Sequence, residues 1–551
     1  TVRSRMGEGE AAARSFDENR PIRSLPFDEE RPIGGGGADY VDENSLAEHP
    51  AEQEVQPWKL AALNYNASRT PGAAYDESSD GKLGSVYTAL TEKLIARGDW
   101  KRLPALRNKE TDELKLPTAF HLLLGTAQGK GIRWGRLGYG MWPPPLVNYV
   151  RGFDVLTRKG KLASTLAQAR DAAQGELPAG LPPALTAPAA AASAAGSAAG
   201  AWDLAPQSFV FHPSKGEDNP TEALRTAYGE AAAKVAAKAE DNPTEVQAAA
   251  AEAGGEAGAA AAALANLWIL KPSDGSKGNN ITIYSSLEEI EAFLAAQEEK
   301  AAAGEAVSSW VVQRYVANPL LLDGGGRKFD MRCWVLLDSE YNIYLYRQGV
   351  LRTSAVAYDA ADVTNRFAHL TNHCIATAHG DYGKFEATNE LFYDAFDREL
   401  SSRFPTQAAA YGGSVLEGRL LPQIRRHVVL SLLAARERLA SSGDYYRPFH
   451  LFGYDFLVDA DLRIWLCEIN ASPAVADQLL PAFVDSLVAT AINPVFPPVP
   501  ALQQAKLAKL AKVGPVGAAG QPSAPAAADG GEVKREGFEL LFRANTPHEE
   551  E

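Results

Sequence analysis

Between residue 267 and about residue 498, Val, Ile, Leu, Phe, Tyr and Trp recur in short runs that predict strands alternating with helices. Residues 327–335 alternate strictly. Phe329, Met331, Cys333 and Val335 share one strand face, and Lys328, Asp330 and Arg332 share the other. Residues 268–271 and 281–284 predict two more strands, joined by a loop of small residues. Residues 341–353 read as one further strand that ends near Arg352. Residues 452–458 and 463–470 predict a hairpin in which Asp455 faces Leu466. Glu468 then lies diagonal to Asp455 at ~7–8 Å, with Asn470 on the same face. Upstream, residues 86–95 predict an amphipathic helix and residues 58–63 a short strand.

Other stretches lack this periodicity. Residues 1–54 hold 13 Asp/Glu and 6 Lys/Arg and read as a disordered acidic leader. Residues 171–201 are dominated by Ala, Pro and Gly and read as a linker, and 246–265 are again Ala/Gly-rich. Asp-Asn-Pro-Thr-Glu occurs at 218–222 and 241–245, each copy resembling a helix start with Asn as cap and Pro at the first helical position. The expected organisation is a leader (1–54), a basic N-terminal lobe (55–170), the linker (171–201), a central lobe with an Ala-rich insertion (202–316), a C-terminal lobe (317–500) and a flexible tail (501–551). Within that tail, residues 538–542 have the pattern of one last strand.

Composition narrows the function classes. The 551 residues are 46% hydrophobic and 22% charged, which fits globular domains. A net charge of −15 argues against bulk nucleic-acid binding. No apolar run reaches the ~18 residues of a membrane span. Three scattered cysteines, Cys333, Cys374 and Cys467, do not make a disulfide framework and suit a reducing cytosol. Against the acidic whole, residues 93–170 hold 15 Lys/Arg and 5 Asp/Glu, a net +10. Such a lobe attracts a polyanion, although a solvated basic surface explains the same charge.

Three groups carry candidate chemistry. The loop from Pro272 to Asn280, with Lys271 and Lys277, would let backbone N–H groups and ammonium groups close over phosphates; an ordinary hairpin is the alternative. The Lys328–Asp330–Arg332 stripe, with Arg352 nearby, suits phosphate or carboxylate, whereas a solvated charge ladder would be its bland counterpart. Asp455, Glu468 and Asn470 put hard oxygen donors on one face, and Mg²⁺ shared with nucleotide phosphates relieves such a cluster. His369, His373 and Cys374 lack the further ligands of a zinc site, so Thr371 and Asn372 are the more useful members of that run.

In this order, these motifs resemble the tubulin–tyrosine ligase family, a branch of the ATP-grasp ligases. The resemblance runs through 268–280, Val312-Gln313-Arg314-Tyr315, 327–335, 341–353, 369–375, Tyr382-Gly383-Lys384-Phe385-Glu386 and 452–474. Trp100-Lys101-Arg102-Leu103, Gly135-Arg136-Leu137-Gly138, Leu146-Val147-Asn148-Tyr149, Arg151-Gly152 and Arg158-Lys159 extend it into the basic lobe, where the tyrosine-adding branch is the nearest match.

The resemblance implies an α/β (α+β) ATP-grasp fold and a peptide-bond-forming ligase. It would join tyrosine to the C-terminal glutamate of detyrosinated α-tubulin through an acyl phosphate, with ATP and Mg²⁺ as cofactors and K⁺ as a further candidate. Lys159, Lys271, Lys277, Gly278 and Lys328 would hold phosphates, and Gln313, Arg314, Tyr315 and Val316 would line the adenine pocket. Asp330, Thr371 and Asn372 would lie near ribose or phosphates, while Asp455, Glu468 and Asn470 would hold the metal. Arg332 and Arg352 would orient the acceptor carboxylate, with Glu468 also catalytic. Lys130, Arg133, Arg136 and Arg158 would face the acidic tail of the α/β-tubulin heterodimer. The expected state is a cytoplasmic monomer on the microtubule cytoskeleton, with cilium or basal body as a narrower location and no nucleic acid or membrane as partner. A tubulin glutamylase or glycylase, or a non-catalytic module that captures tubulin tails, stand as alternatives.

Overall fold

The computed structural model describes residues 67–69, 85–100, 106–107, 114–115, 120–125, 132, 134, 137, 144–186, 200–241, 266–275, 278–323, 326–439, 445–498 and 537–544. The leader, the strand expected at 58–63 and the second Asp-Asn-Pro-Thr-Glu copy from 242 onward lie outside them.

Four strands form a central sheet: β1 (Ser208–Phe211), β2 (Trp268–Pro272), β3 (Thr282–Tyr284) and β4 (Trp310–Arg314), antiparallel in the order β1-β4-β2-β3. Period-two alternation sorts its two faces. Trp268, Leu270, Trp310 and Val312 bury against Leu224 of the helix Thr221–Asp241 and Ile290 of the helix Leu287–Ala302. Ile269 and Lys271 take the opposite face. Asn219, expected to cap the helix that follows it, is used elsewhere: its side chain accepts from the His212 backbone N–H at 2.8 Å and donates to the His212 carbonyl at 3.1 Å.

A larger sheet is built from β5 (Leu321–Leu322), β6 (Arg327–Leu337), β7 (Ile343–Tyr346), β8 (Val350–Ala357), β9 (Glu390–Phe392), β10 (His450–Val458), β11 (Ile464–Asn470) and β12 (Phe538–Phe542). β6 is its axis, buried along its whole length and paired antiparallel with β5, β7, β8 and β10. Phe329, Met331, Cys333, Val335 and Leu337 enter the main core with the helix Leu421–Leu439. The other face of β6 is divided. Trp334 and Leu336 enter a second core with Phe483 and Leu487, and with Leu90 and Leu94 of the helix Ser85–Ala96, while Lys328 and Asp330 open onto a cleft. One strand thus anchors two cores and presents chemistry at its other end.

Four features of the structure bear on the sequence expectations. Residues 341–353 are two strands that run in line along one edge of β6, interrupted at 347–349 by a two-residue shift in register (Leu345 faces Val335, Val350 faces Arg332), so Arg352 sits inside β8 and does not end a strand. The last strand expected at 538–542 is present as β12, which pairs with β7 and buries Leu541 and Phe542. The linker contains a helix, Pro183–Thr186, and Leu181 and Leu185 bury in the main core; two apolar side chains suffice to dock an otherwise small-residue segment. The N-terminal lobe is not closed by its own residues. Its parallel strands Ala67–Arg69, Leu122–Leu124 and Leu146–Val147 are completed by Arg447–Pro448. Helix and sheet mix in the α+β manner of an ATP-grasp protein, and no helix among the described residues is long and apolar enough to cross a membrane.

Candidate active site

The lysine-bearing face of the central sheet and the polar end of β6 border a cleft of about 850 Å³. Lys271, Gln313, Arg314, Tyr315 and Val316 line it from the central-sheet side. Lys328, Asp330, Arg352, Thr371, Asn372, Asp455 and Glu468 line it from the larger sheet, with Lys159 and Gly278 at its edge. Residues spread over three hundred positions of sequence therefore meet in one place. Lys277 lies outside the described residues.

The lysines are held by partners that fix position with little loss of charge. Lys271 Nζ donates to Gln313 Oε1 at 2.7 Å, and Gln313 Nε2 donates to Ser208 Oγ at 2.9 Å. Lys328 Nζ donates to the Tyr315 hydroxyl at 2.8 Å and to the His369 carbonyl at 3.1 Å. Burial lowers the Lys271 ammonium and pushes Lys328 down to about 8, as expected for cations taken out of water. Lys159, at the start of the helix Lys159–Ala173, donates to the Gly275 carbonyl at 2.8 Å and lies 3.2 Å from Glu468. Gly278 has φ +70°, and Arg366 donates to its carbonyl at 2.7 Å, which ties the loop to the larger sheet's side of the cleft.

The arginines are paired with carboxylates instead. Arg352 bridges Asp330 (2.7 Å) and Asp455 (2.8 Å), Arg332 clasps Asp455 side-on, and Thr371 donates to Asp330. Burial pushes the Asp330 carboxyl up to about 6 against the pull of Arg352. Burial would also raise Asp455, but Arg332 and Arg352 together hold it well below the usual carboxylate range. Arg332 does not line the cleft; it stands behind Asp455.

The hairpin reaches its expected face by an unexpected route. A loop over 459–463 pairs Val458 with Ile464 and Phe456 with Leu466, and a bulge then sets Asp455 opposite Glu468 and Gly453 opposite Asn470. Asp455 was expected to face Leu466. The loop and the bulge each shift the register by one residue, so the parity is restored and the three oxygen-bearing side chains still converge. Asn470 Nδ2 donates to Asp455 at 3.1 Å and to Glu468 at 3.4 Å.

This donor set fits a cation shared with a nucleotide rather than an all-protein cage. Among the described residues no three His, Cys, Asp or Glu side chains gather to hold a metal. Glu468 is a quarter exposed, and Asp455 Oδ2 already accepts three donors. Two carboxylates and an amide leave the remaining positions to phosphate oxygens and water, which is how Mg²⁺ is commonly held.

Several cleft residues escaped the sequence reading. Ile269, Ile281, Leu370 and Leu457 supply apolar walls. Of these, Ile269 and Leu457 were readable as strand neighbours of Lys271 and Asp455. Cys467 is the bulged residue and lines the cleft, and nothing in the sequence marks the bulge. His369 and Arg366 join the site through long-range contacts. Of the residues expected to face an acidic tail, Lys130, Arg133 and Arg136 lie outside the described residues. Arg158 is half exposed and pairs with Asp274 at 3.1 Å beside the loop.

Comparison with known proteins agrees with this geometry. The profile of the Tubulin-tyrosine ligase family matches residues 217–504. Tubulin glycylase 3C of Tetrahymena thermophila is 30% identical over 240 residues, covering 41% of this chain and 20% of that protein. The probable tubulin polyglutamylase ttll-9 of Caenorhabditis elegans is 31% identical over 211 residues (38% and 46%), and tubulin polyglutamylase TTLL5 of Homo sapiens is 30% identical over 224 residues (38% and 16%). The chain spans less than half the length of each of these relatives. With more than half of its residues under the family profile and the family's motifs converging on one cleft, the chain belongs to the tubulin-tyrosine ligase family.

Proposed function

We propose that this chain is an ATP-dependent ligase that joins glycine or glutamate to a carboxylate of an acidic tubulin tail. One observation carries the reading: Lys159, Lys271, Lys328, the Gly278 loop and the Asp455–Arg352–Asp330 cluster, backed by Arg332, border a single cleft that also holds Glu468. A polyphosphate suits the lysine side, and a carboxylate to be activated suits the arginine side.

In this reading a carboxylate oxygen of the tail attacks the γ-phosphorus of ATP and ADP leaves. The amine of the incoming amino acid then attacks the acyl carbon, loses a proton and expels inorganic phosphate. Lys271 and Lys328 hold phosphate oxygens, and Arg352 steadies charge that develops on the acceptor. Glu468 and Asn470, with the lone pairs left on Asp455, are the residues that would hold Mg²⁺, which would supply positive charge at the reacting phosphates. The net +10 of residues 93–170 complements an acidic tail and would speed encounter on microtubules.

Tyrosine ligation, the reading expected from the sequence, has less support. Its specific motifs lie in the N-terminal lobe, outside the matched region 217–504, and the relatives named above are glycylases and polyglutamylases. The test offers tubulin, ATP and Mg²⁺ with labelled glycine, glutamate or tyrosine and maps the products by mass spectrometry. Glycine or glutamate incorporation is expected. Tyrosine incorporation alone would replace this reading, and tail binding without ATP turnover would reduce the chain to a capture module.

A further inference from the structure

A chain of hydrogen bonds runs along the cleft wall from Lys328 through Tyr315 to His369, all three of which line the cleft, and its direction can be derived atom by atom. His369 Nε2 lies 2.9 Å from the Asp362 carbonyl, which can only accept, so Nε2 carries the proton. Burial lowers His369 from its ordinary value, so the ring is neutral and Nδ1 is an acceptor. Nδ1 lies 2.8 Å from the Tyr315 hydroxyl, which therefore donates its one proton there. That leaves the hydroxyl's lone pairs for Lys328 Nζ at 2.8 Å. The ammonium also lies 4.5 Å from the centre of the Tyr315 ring.

We propose that His369 is a positioning residue for nucleotide phosphate: through the Tyr315 hydroxyl it aims an acceptor at Lys328 and holds that ammonium at the wall of the cleft. The proposal rests on reading the cleft as a nucleotide site, and it gives His369 a role unconnected with metal. Without Nδ1, the hydroxyl proton is no longer fixed and can turn toward the Tyr358 oxygen or toward Lys328, and the ammonium loses a fixed partner. The other groups around Lys328 are Lys271, Asp330, Cys467 and Tyr358; those around His369 are Asp359, Asp362 and the Tyr358 ring at 5.3 Å; and Tyr358, whose own proton goes to the Ala317 carbonyl, also neighbours the Tyr315 hydroxyl. Asp330 is the acid nearest to Lys328 in sequence, and it is engaged by Arg352 and Thr371.

The test measures binding of a non-hydrolysable ATP analogue with Mg²⁺, without tubulin or amino acid, from pH 6.5 to 9.5. Lys328 in the free site loses its proton above about pH 8, while bound phosphate favours the charged form. Wild-type affinity should therefore fall as pH rises through that value, with proton uptake on binding. His369→Phe and Tyr315→Phe should each weaken binding at pH 7 by roughly tenfold, the scale of a hydrogen bond to a charged group, and move the break to lower pH. The double variant should bind no more weakly than the weaker single variant, since both remove one relay. His369→Gln, which retains an amide oxygen for the hydroxyl, should keep the break near its wild-type position. Circular dichroism checks that each variant is folded. Additive losses, or an unmoved break in folded His369→Phe, would overturn the relay alone. No analogue binding by the wild type would overturn it together with the nucleotide reading.

Discussion

Arg352 compensates two carboxylates at once, so its removal has a pH signature that can be worked out in advance. Asp330 and Asp455 are 3% and 2% exposed, and Arg352 lies within 2.8 Å of both. Asp455 retains Arg332 if Arg352 is lost, whereas Asp330 retains the Thr371 hydroxyl and the attraction of Lys328 but no paired guanidinium. Asp330 titrates near 6 in the folded wild type, above its ordinary 3.8. Between those values the folded state binds more protons than the unfolded state, so stability falls with rising pH and levels off above about 6. In Arg352→Met the folded value rises further, so the fall continues past pH 6 at about 1.4 kcal/mol per unit. The gap between the proteins should thus be about 1–2 kcal/mol at pH 5, where a neutral carboxyl loses only a hydrogen bond. It should widen to about 3–5 kcal/mol at pH 8, the cost of stranding a buried charge. Urea unfolding followed by tryptophan fluorescence at pH 5, 6.5 and 8 measures the gap. Adding Asp330→Asn to Arg352→Met should recover most of the loss at pH 8. A gap equal at all three pH values would refute the reasoning.

Glu468→Gln should abolish ligation while changing the unfolding free energy little, within about 0.5 kcal/mol, because the Lys159 pair is partly solvated; ADP release in the presence of tubulin and glycine reads the loss. Gly278→Ala should cost about 1–2 kcal/mol and weaken ATP binding, since φ is +70° and a Cβ would lie 2.5 Å from Ile375 Cδ1. Adding Ile375→Ala should relieve the steric part, as calorimetry with ATP would reveal. Ending the chain at residue 504 removes β12, exposes the edge of β7 and uncovers the surface that buries Leu541 and Phe542. Size exclusion over a range of concentrations should show association that the full chain lacks.

The readable parts of the site were those that lie on regular strands. Lys328 and Asp330 share a face because period two is enforced by the pleat, and Lys271 follows from the same rule. The hairpin was readable only in parity, because its register depends on a loop and a bulge that leave no compositional trace. Arg352 was found but misplaced, since the interruption at 347–349 is a shift in register against β6, visible only once the strands are paired. His369 and Arg366 stayed hidden as site residues for a similar reason: their partners Tyr315 and Gly278 belong to other parts of the chain. Ala-rich composition also misled at Leu181 and Leu185, where it described the average of the segment and not the two side chains that dock it.

The two kinds of cation in the cleft divide along a physical line. Lys271 and Lys328 are fixed mainly by neutral acceptors, an amide oxygen, a phenol and a carbonyl, so their positions are set while their charge is left largely unmatched. Such ammonium groups are costly to bury alone, and a polyphosphate both fits them and relieves that cost. Arg332 and Arg352 meet Asp330 and Asp455 in equal number, so the cluster is close to neutral and stable without a ligand. A guanidinium offers five N–H donors, and Arg352, the arginine that lines the cleft, does not spend all of them on these aspartates. The remaining donors can engage a carboxylate without the cluster first coming apart. On the proposed reading, binding energy for the nucleotide would therefore reside mainly in the lysines. The arginine–aspartate cluster, already held in place, is suited to stabilising charge as it develops on the acceptor, because little reorganisation is needed when it does.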